Sequence, residues 1–292
     1  MFRIALFAVL GPMLWGTTYA VFTEFLPTTH PFFTGVIRAL PAGLLLLALN
    51  PVIPKPGVLM RYAVLAVFNI AVFFSMLFVA AGRVPGGLAA TLGAVQPLVV
   101  VGLVALIGRH APHPVQVAAG IAGVAGVGLM VFSPSATLDM IGVMAALGGA
   151  VSMGVGTVLI DRWGRAGKPL EMVTWQMIFG GLILAPVAWL KEGLPPAPDL
   201  MAVAGYGWLI FFGTAFGYYA WNRGVTKLGP SAAYLALASP VTATLIGTLV
   251  MDERFGLAQW AGILLVLGAI ITGVSVRRRR LAAIETVPTG AA

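Results

Sequence analysis

From Ile4 to Val276 the chain is a succession of apolar runs, each about long enough to cross a bilayer and each closed by proline, glycine or charge. Hydrocarbon offers no hydrogen bonds, so runs of this length must satisfy their backbone internally and fold as helices. With 60% apolar and 9% charged residues and a mean hydropathy of +1.00, no stretch is left over for a soluble domain. The runs predict an all-α integral membrane protein with ten transmembrane helices, at residues 4–25, 31–49, 60–81, 86–107, 115–132, 138–159, 171–190, 200–222, 230–250 and 257–276.

The last five spans echo the first five. At an offset of 143, Gly86 pairs with Gly229, Ala89 with Ala232, Ala90 with Ala233, Leu92 with Leu235 and Pro97 with Pro240. At 138, Gly11 pairs with Gly149, Gly16 with Gly154 and Pro31 with Pro169. The rise between the two offsets places a five-residue insertion near the Pro195-Pro196-Ala197-Pro198 loop, where length changes are easily absorbed. Since span 1 has a counterpart in span 6, the first run reads as a retained span, not a leader cleaved after Thr18-Tyr19-Ala20. The domain reading is a five-helix repeat over residues 1–134, a second over 135–280, and a disordered cytoplasmic tail over 281–292. Five is odd, so the second repeat enters the membrane from the opposite side and the repeats are inverted.

Charge sets the orientation. With a cytoplasmic N-terminus, 13 of the 17 Lys and Arg residues fall inside, including the Arg277-Arg278-Arg279-Arg280 stop, and only Arg83, Lys191 and Arg254 fall outside. The remaining one, Arg38, lies within span 2. Both termini are therefore expected in the cytoplasm of a bacterial inner membrane. The net charge of +8 is scattered over short loops, which fits topology and not a nucleic-acid partner. The absence of cysteine excludes disulfides, thiolate metal sites and cysteine nucleophiles.

Pro97 and Pro240 mark helix breaks. Each lacks the N–H that would bond four residues back, leaving the carbonyls of Gly93 and Ala236 to find other partners. Interrupted helices at matching places in two repeats point to a transporter's binding site at mid-membrane depth. Taken with Trp15-Gly16 in span 1, Pro31 and Arg38 in span 2 and Trp175-Gln176 in span 7, this arrangement resembles the EamA-type drug/metabolite transporters over about residues 4–276. Within that superfamily the chain looks like the YddG-type amino-acid exporters. The resemblance implies export of aromatic and other neutral amino acids through a cavity between the halves, with spans 5 and 10 peripheral.

Asn69, Phe73 and Met76 share one face of span 3, and the 143 offset carries them onto Phe212, Phe216 and Tyr219 of span 8. They are expected to form facing, largely aromatic walls, with Asn69 and the Tyr219 hydroxyl as polar handles; helix packing is the other reading of the phenylalanines. Gln96 and Ser239 precede the two prolines and either orient a solute or repair the helix break. Trp15 and Tyr19, one turn apart, either stack on a solute ring or fill a groove. Tyr234 and Ser152 complete the candidate lining. Arg38, roughly ten ångströms from the outer end of span 2 at a rise of about 1.5 Å per residue, either attracts a solute carboxylate or pairs with Glu24 to tie spans 1 and 2.

No Asp or Glu lies near the middle of any predicted span, and His30, His110 and His113 fall at loops. Proton antiporters generally use such a group, so the reading is a facilitative, alternating-access exporter; a proton-coupled drug/metabolite antiporter, coupled through backbone sites or water, and a channel are the alternatives. No phosphate loop, metal cluster or catalytic triad is present, and the adjacent acidic pair Asp252-Glu253 sits in a short turn before Arg254. No catalytic residue, metal or cofactor is expected. The expected partners are a small-molecule substrate and the lipid bilayer. The glycines Gly213, Gly217, Gly120, Gly123 and Gly126 permit close helix packing, read as packing within a monomer.

Overall fold

A computed structural model of the protein describes residues 2–84, 89, 92–108, 111–131, 139–163, 168–251 and 256–285, with side chains except at 130–131, 244, 247–251 and 276–285. Among the described residues every regular element is helical. Helix α1 (Phe2–Gly16) passes through a turn at Thr17 into α2 (Thr18–Phe25), and α3 spans Pro31–Leu49. A rod follows, made of α4 (Pro56–Ala66), a π-helical segment Val67–Val72 and α5 (Phe73–Ala81). After α6 (Gln96–Gly108), α7 (Pro114–Val131), α8 (Met140–Trp163) and α9 (Pro169–Glu192) comes a second such rod: α10 (Leu200–Trp208), the π-helical segment Leu209–Phe216 and α11 (Gly217–Leu228). A 3₁₀ helix, Gly229–Leu237, leads into α12 (Ala238–Met251), and α13 covers Leu257–Glu285.

Proline begins α3, α4, α7 and α9, because its fixed φ suits a first turn and its missing N–H has no acceptor there. Seven stretches among the described residues are long and apolar enough to cross a membrane, from Phe2–Phe25 to Leu257–Ser275, and Gln96–Gly108 and Pro114–Leu129 are shorter apolar helices. The protein is a multi-pass membrane protein. Its longest apolar stretch, Leu200–Ala243, runs for 44 residues, but Gly229 within it has φ 63°, a value at which an α-helix cannot continue. Helix α13 carries on to Glu285, into the tail expected to be disordered from residue 281; residues 286–292 lie outside the described residues. So do Gly86, Ala90, Arg109, His110, Arg165, Asp252, Glu253 and Arg254.

The helices pair in a regular way. Helix α3 packs on α9 and α7 on α13; α1 packs on α11 and α12, while α8 packs on α5 and α6. Glycines set the closest approaches. A Cβ at Gly16 would meet the Thr242 side chain at 2.8 Å, and one at Gly154 would meet Val99 at 2.9 Å. Gly154 lies 138 residues after Gly16, and Thr242 lies 143 after Val99. The other glycines flagged by the sequence also pack within the chain: Gly217 against Trp15, Gly120 against Leu98, Gly123 against Leu237 and Gly126 against Val266.

The buried interior is aromatic at its centre, with Trp221, Tyr62, Tyr218, Phe22, Phe74 and Phe78 almost wholly enclosed. Glu192, at the end of α9, accepts from the backbone N–H groups of Phe32 and Phe33, both at 2.8 Å. Those are first-turn amides of α3 with no intrahelical acceptor, and a carboxylate is well placed there.

Candidate functional site

Both halves of the chain contribute to a cavity of about 100 Å³. Its described walls are Trp15, Thr18, Tyr19 and Arg38 from α1 to α3, Phe73, Leu77 and Ala80 from α5, and Ala89 with Gly93, Ala94, Gln96 and Pro97 around the start of α6. Ala145, Ala146, Gly149, Ala150 and Met153 of α8 face them, with Ala236, Leu237, Ser239 and Pro240 at the start of α12. Pro97 and Pro240 thus border one space. Neither is the mid-helix kink expected from sequence. The break falls just ahead of each, as the turn at Ala94–Val95 and the 3₁₀ helix Gly229–Leu237, and the prolines stand in the first turns of α6 and α12. There the missing N–H costs little.

Arg38 is the one ionised residue in the described lining, and it is 1% exposed. Its Nε donates to Thr214 Oγ1 at 2.8 Å and its Nη2 to the Gly213 carbonyl at 3.0 Å. The guanidinium carbon lies 4.6 Å from the Phe74 ring centroid, a cation–π distance. Glu24, one of the two partners considered for Arg38, is exposed at the end of α2, and the acceptors come from the second π-helical segment. Both acceptors, the Thr214 hydroxyl and the Gly213 carbonyl, belong to a π-helical stretch of the kind that often marks functional sites. The Gly213 carbonyl accepts from Trp15 Nε1 as well, at 2.9 Å. Arg38 Nη1 and Thr18 Oγ1 have no hydrogen-bond partner among the described residues.

Of the residues singled out from sequence, the cavity brings together Trp15, Tyr19, Phe73, Gln96, Ser239, Pro97, Pro240 and Arg38. Trp15 is also wedged against Tyr218 and Trp221, with ring centroids 4.9 and 5.4 Å away. Gln96 donates to Thr157 Oγ1 at 3.3 Å. The other six lie outside the described lining, for identifiable reasons. Asn69 donates to Gln176 Oε1 at 2.8 Å, inside a buried amide cluster. Ser152 donates to the Phe68 carbonyl, within the first π-helical segment, at 2.7 Å. Met76 packs against Gly148 and Gly149. Phe216 and Tyr219 stack edgewise on Phe7 at 5.8 and 6.1 Å, and Tyr219 accepts from Arg223 on an exposed face. Tyr234 is buried against Gly273 of α13 and donates to the Gln116 carbonyl. Sequence reasoning missed Thr18, Gly213 and Thr214; the need of Arg38 for acceptors was the one signal, and it carried no address.

The sequence profile of the EamA-like transporter family matches this chain twice, over residues 2–132 and 140–274. The chain belongs to the EamA-like transporter family. Among EamA-related proteins, it is 40% identical to Protein PecM of Dickeya dadantii (strain 3937) over 268 residues, covering 91% of this chain and 90% of that protein. It is 28% identical to the uncharacterized inner membrane transporter YedA of Escherichia coli (strain K12), covering 92% and 88%. A solved crystal structure with 17% identity superposes with a TM-score of 0.76 over 94% of this chain and 99% of that one, a likeness of fold. This EamA-like chain therefore places the most buried cation among its described residues, Arg38, in the wall of a cavity.

Proposed function

We propose that the protein is a bacterial inner-membrane carrier that exports small neutral metabolites, amino acids including aromatic ones, by facilitative alternating access. Its architecture is read as ten spans in two inverted five-helix repeats, residues 1–134 and 135–280, with both termini cytoplasmic. The observation that carries the proposal is the convergence of Pro97 and Pro240, equivalent residues of the two repeats, on one cavity. Three others support it. The family profile matches twice. The packing of α1 on α11 and α12 mirrors that of α8 on α5 and α6, while α3 with α9 and α7 with α13 are self-paired, as a two-fold axis between halves requires. The two π-helical segments, Val67–Val72 and Leu209–Phe216, overlap at the same 143 offset.

Trp15, Tyr19, Phe73, Gln96 and Ser239 are the proposed solute contacts. At about 100 Å³ the cavity is below the roughly 300–1,000 Å³ usual for small-molecule sites, so loading an amino acid requires the halves to part. The described lining holds no Asp, Glu or His, which favours a facilitator over a proton antiporter. Counterflow in proteoliposomes, with amino acids, amines, nucleosides and sugars offered with and without a proton gradient, tests the reading. Amino acids should exchange at a rate indifferent to the gradient. Exchange that requires the gradient would overturn the facilitator, and exchange confined to nucleosides or sugars would overturn the substrate class.

A further inference from the structure

Two buried donors in the cavity wall have no acceptor among the described residues. Arg38 Nη1 and Thr18 Oγ1 are both in residues no more than 2% exposed, both line the cavity, and neither finds a partner among the described residues. The guanidinium is held by its other side: Nε and Nη2 donate to Thr214 and Gly213, and Phe74 covers its face. A guanidinium carries five N–H donors in a fixed plane. With the Nε–Nη2 edge committed, the edge formed by Nη1 and the second N–H of Nη2 is presented in one orientation. That fork matches the two oxygens of a carboxylate. A buried cation without an anion is costly, and no Asp or Glu stands in the described lining to neutralise it.

Resting on the transport reading above, we infer that Arg38 and Thr18 form a carboxylate seat, so that recognition requires a carboxylate on the solute and does not require its ammonium group. The carboxylate takes the free guanidinium edge and the Thr18 hydroxyl. No fixed negative charge in the described wall waits for an ammonium. Deaminated acids are thus recognised as well as the amino acids they resemble, whereas amines and amides are not.

The test compares two series on the purified wild-type protein: alanine, ethylamine, alaninamide and propionate; and phenylalanine, phenethylamine, phenylalaninamide and 3-phenylpropionate. Each compound is assayed at constant ionic strength for its shift of the melting temperature in detergent and for counterflow in proteoliposomes. The carboxylates are expected to act at concentrations at least about tenfold lower than the amines and amides, the ratio that losing one charge-assisted hydrogen bond implies. Arg38→Gln should abolish that preference. Thr18→Val, which removes a hydroxyl without a partner among the described residues, should weaken the carboxylates severalfold and leave the amines unchanged. Amines or amides as effective as the acids on the wild-type protein would overturn the seat while leaving transport standing. Acids that raise the melting temperature yet never exchange would leave the seat standing and overturn transport; silence of every compound in both assays would overturn both.

Discussion

Three buried amides hold the interior of the bundle in register. Asn69 donates to Gln176 at 2.8 Å, Gln176 donates to Asn222 Oδ1 at 3.3 Å, and Asn222 donates to the Tyr218 carbonyl at 2.8 Å. Where water is excluded, an amide left without its partner keeps its whole desolvation cost. Gln176→Leu should therefore lower stability by about 1–3 kcal/mol, read from thermal or denaturant unfolding in detergent, while the set of solutes that compete in counterflow stays the same. That Asn69 needs a partner is legible in the sequence, because an amide at membrane depth cannot face lipid. Which partner it takes is not. Periodicity assigns Asn69 to a face of its helix, but Gln176 lies 107 residues away, and only the packing of α9 beside that face joins them. The same limit applies to Arg38: its depth in span 2 declares a demand, while the supply comes from Thr214, 176 residues on.

Helix ends were legible where a single residue type decides them. Pro31 opens α3 as expected, and Pro169 opens α9 two residues before the start expected at 171, both as their φ preference requires. The π-helical segments were not legible, because Val67–Val72 and Leu209–Phe216 contain no proline to mark a departure from α-helical register. They are stabilised from outside, by the Ser152 hydroxyl on Phe68 and by Trp15 and Arg38 on Gly213. Asp139 caps the start of α8, accepting from the Gly142 N–H at 3.0 Å and pairing with Arg83 at 3.2 Å. The Gly142 hydrogen bond, ahead of the Arg83 charge and against the smaller cost of desolvation, holds the Asp139 carboxyl below its ordinary value. A lowered folded value means that the cap contributes fully above the usual carboxylate range and is lost as pH falls through the folded value. Hydrogen exchange at the first turn of α8 should accordingly show extra opening in acid beyond the intrinsic pH effect. In Asp139→Asn, which keeps an acceptor but no charge, that acid-induced opening should vanish.

For the molecule as a whole, the duplication is what the sequence displays most openly. Gly16 and Gly154 were paired by offset alone, and each sits against the equivalent residue of the opposite half, Thr242 or Val99. The cavity itself is less open to reading, since Phe216 and Tyr219 share the right periodicity yet turn toward Phe7. A period fixes the angle between residues and not the direction of the whole face. The absence of cysteine makes the proposed topology directly measurable. Gly57→Cys, where an added side chain meets nothing within 4 Å, should resist an impermeant maleimide in intact cells. Leu194→Cys, at a position 68% exposed, should label readily; the opposite pattern would reverse the orientation.

The shared Gly213 carbonyl has a consequence for anyone who would harden this protein. Any change of register across Leu209–Phe216 moves the peptide oxygen to which Trp15 and Arg38 both donate. On the proposed carboxylate seat, robustness and ligand capture compete for that one peptide group, so variants selected solely for heat tolerance should drift toward inertness at this position.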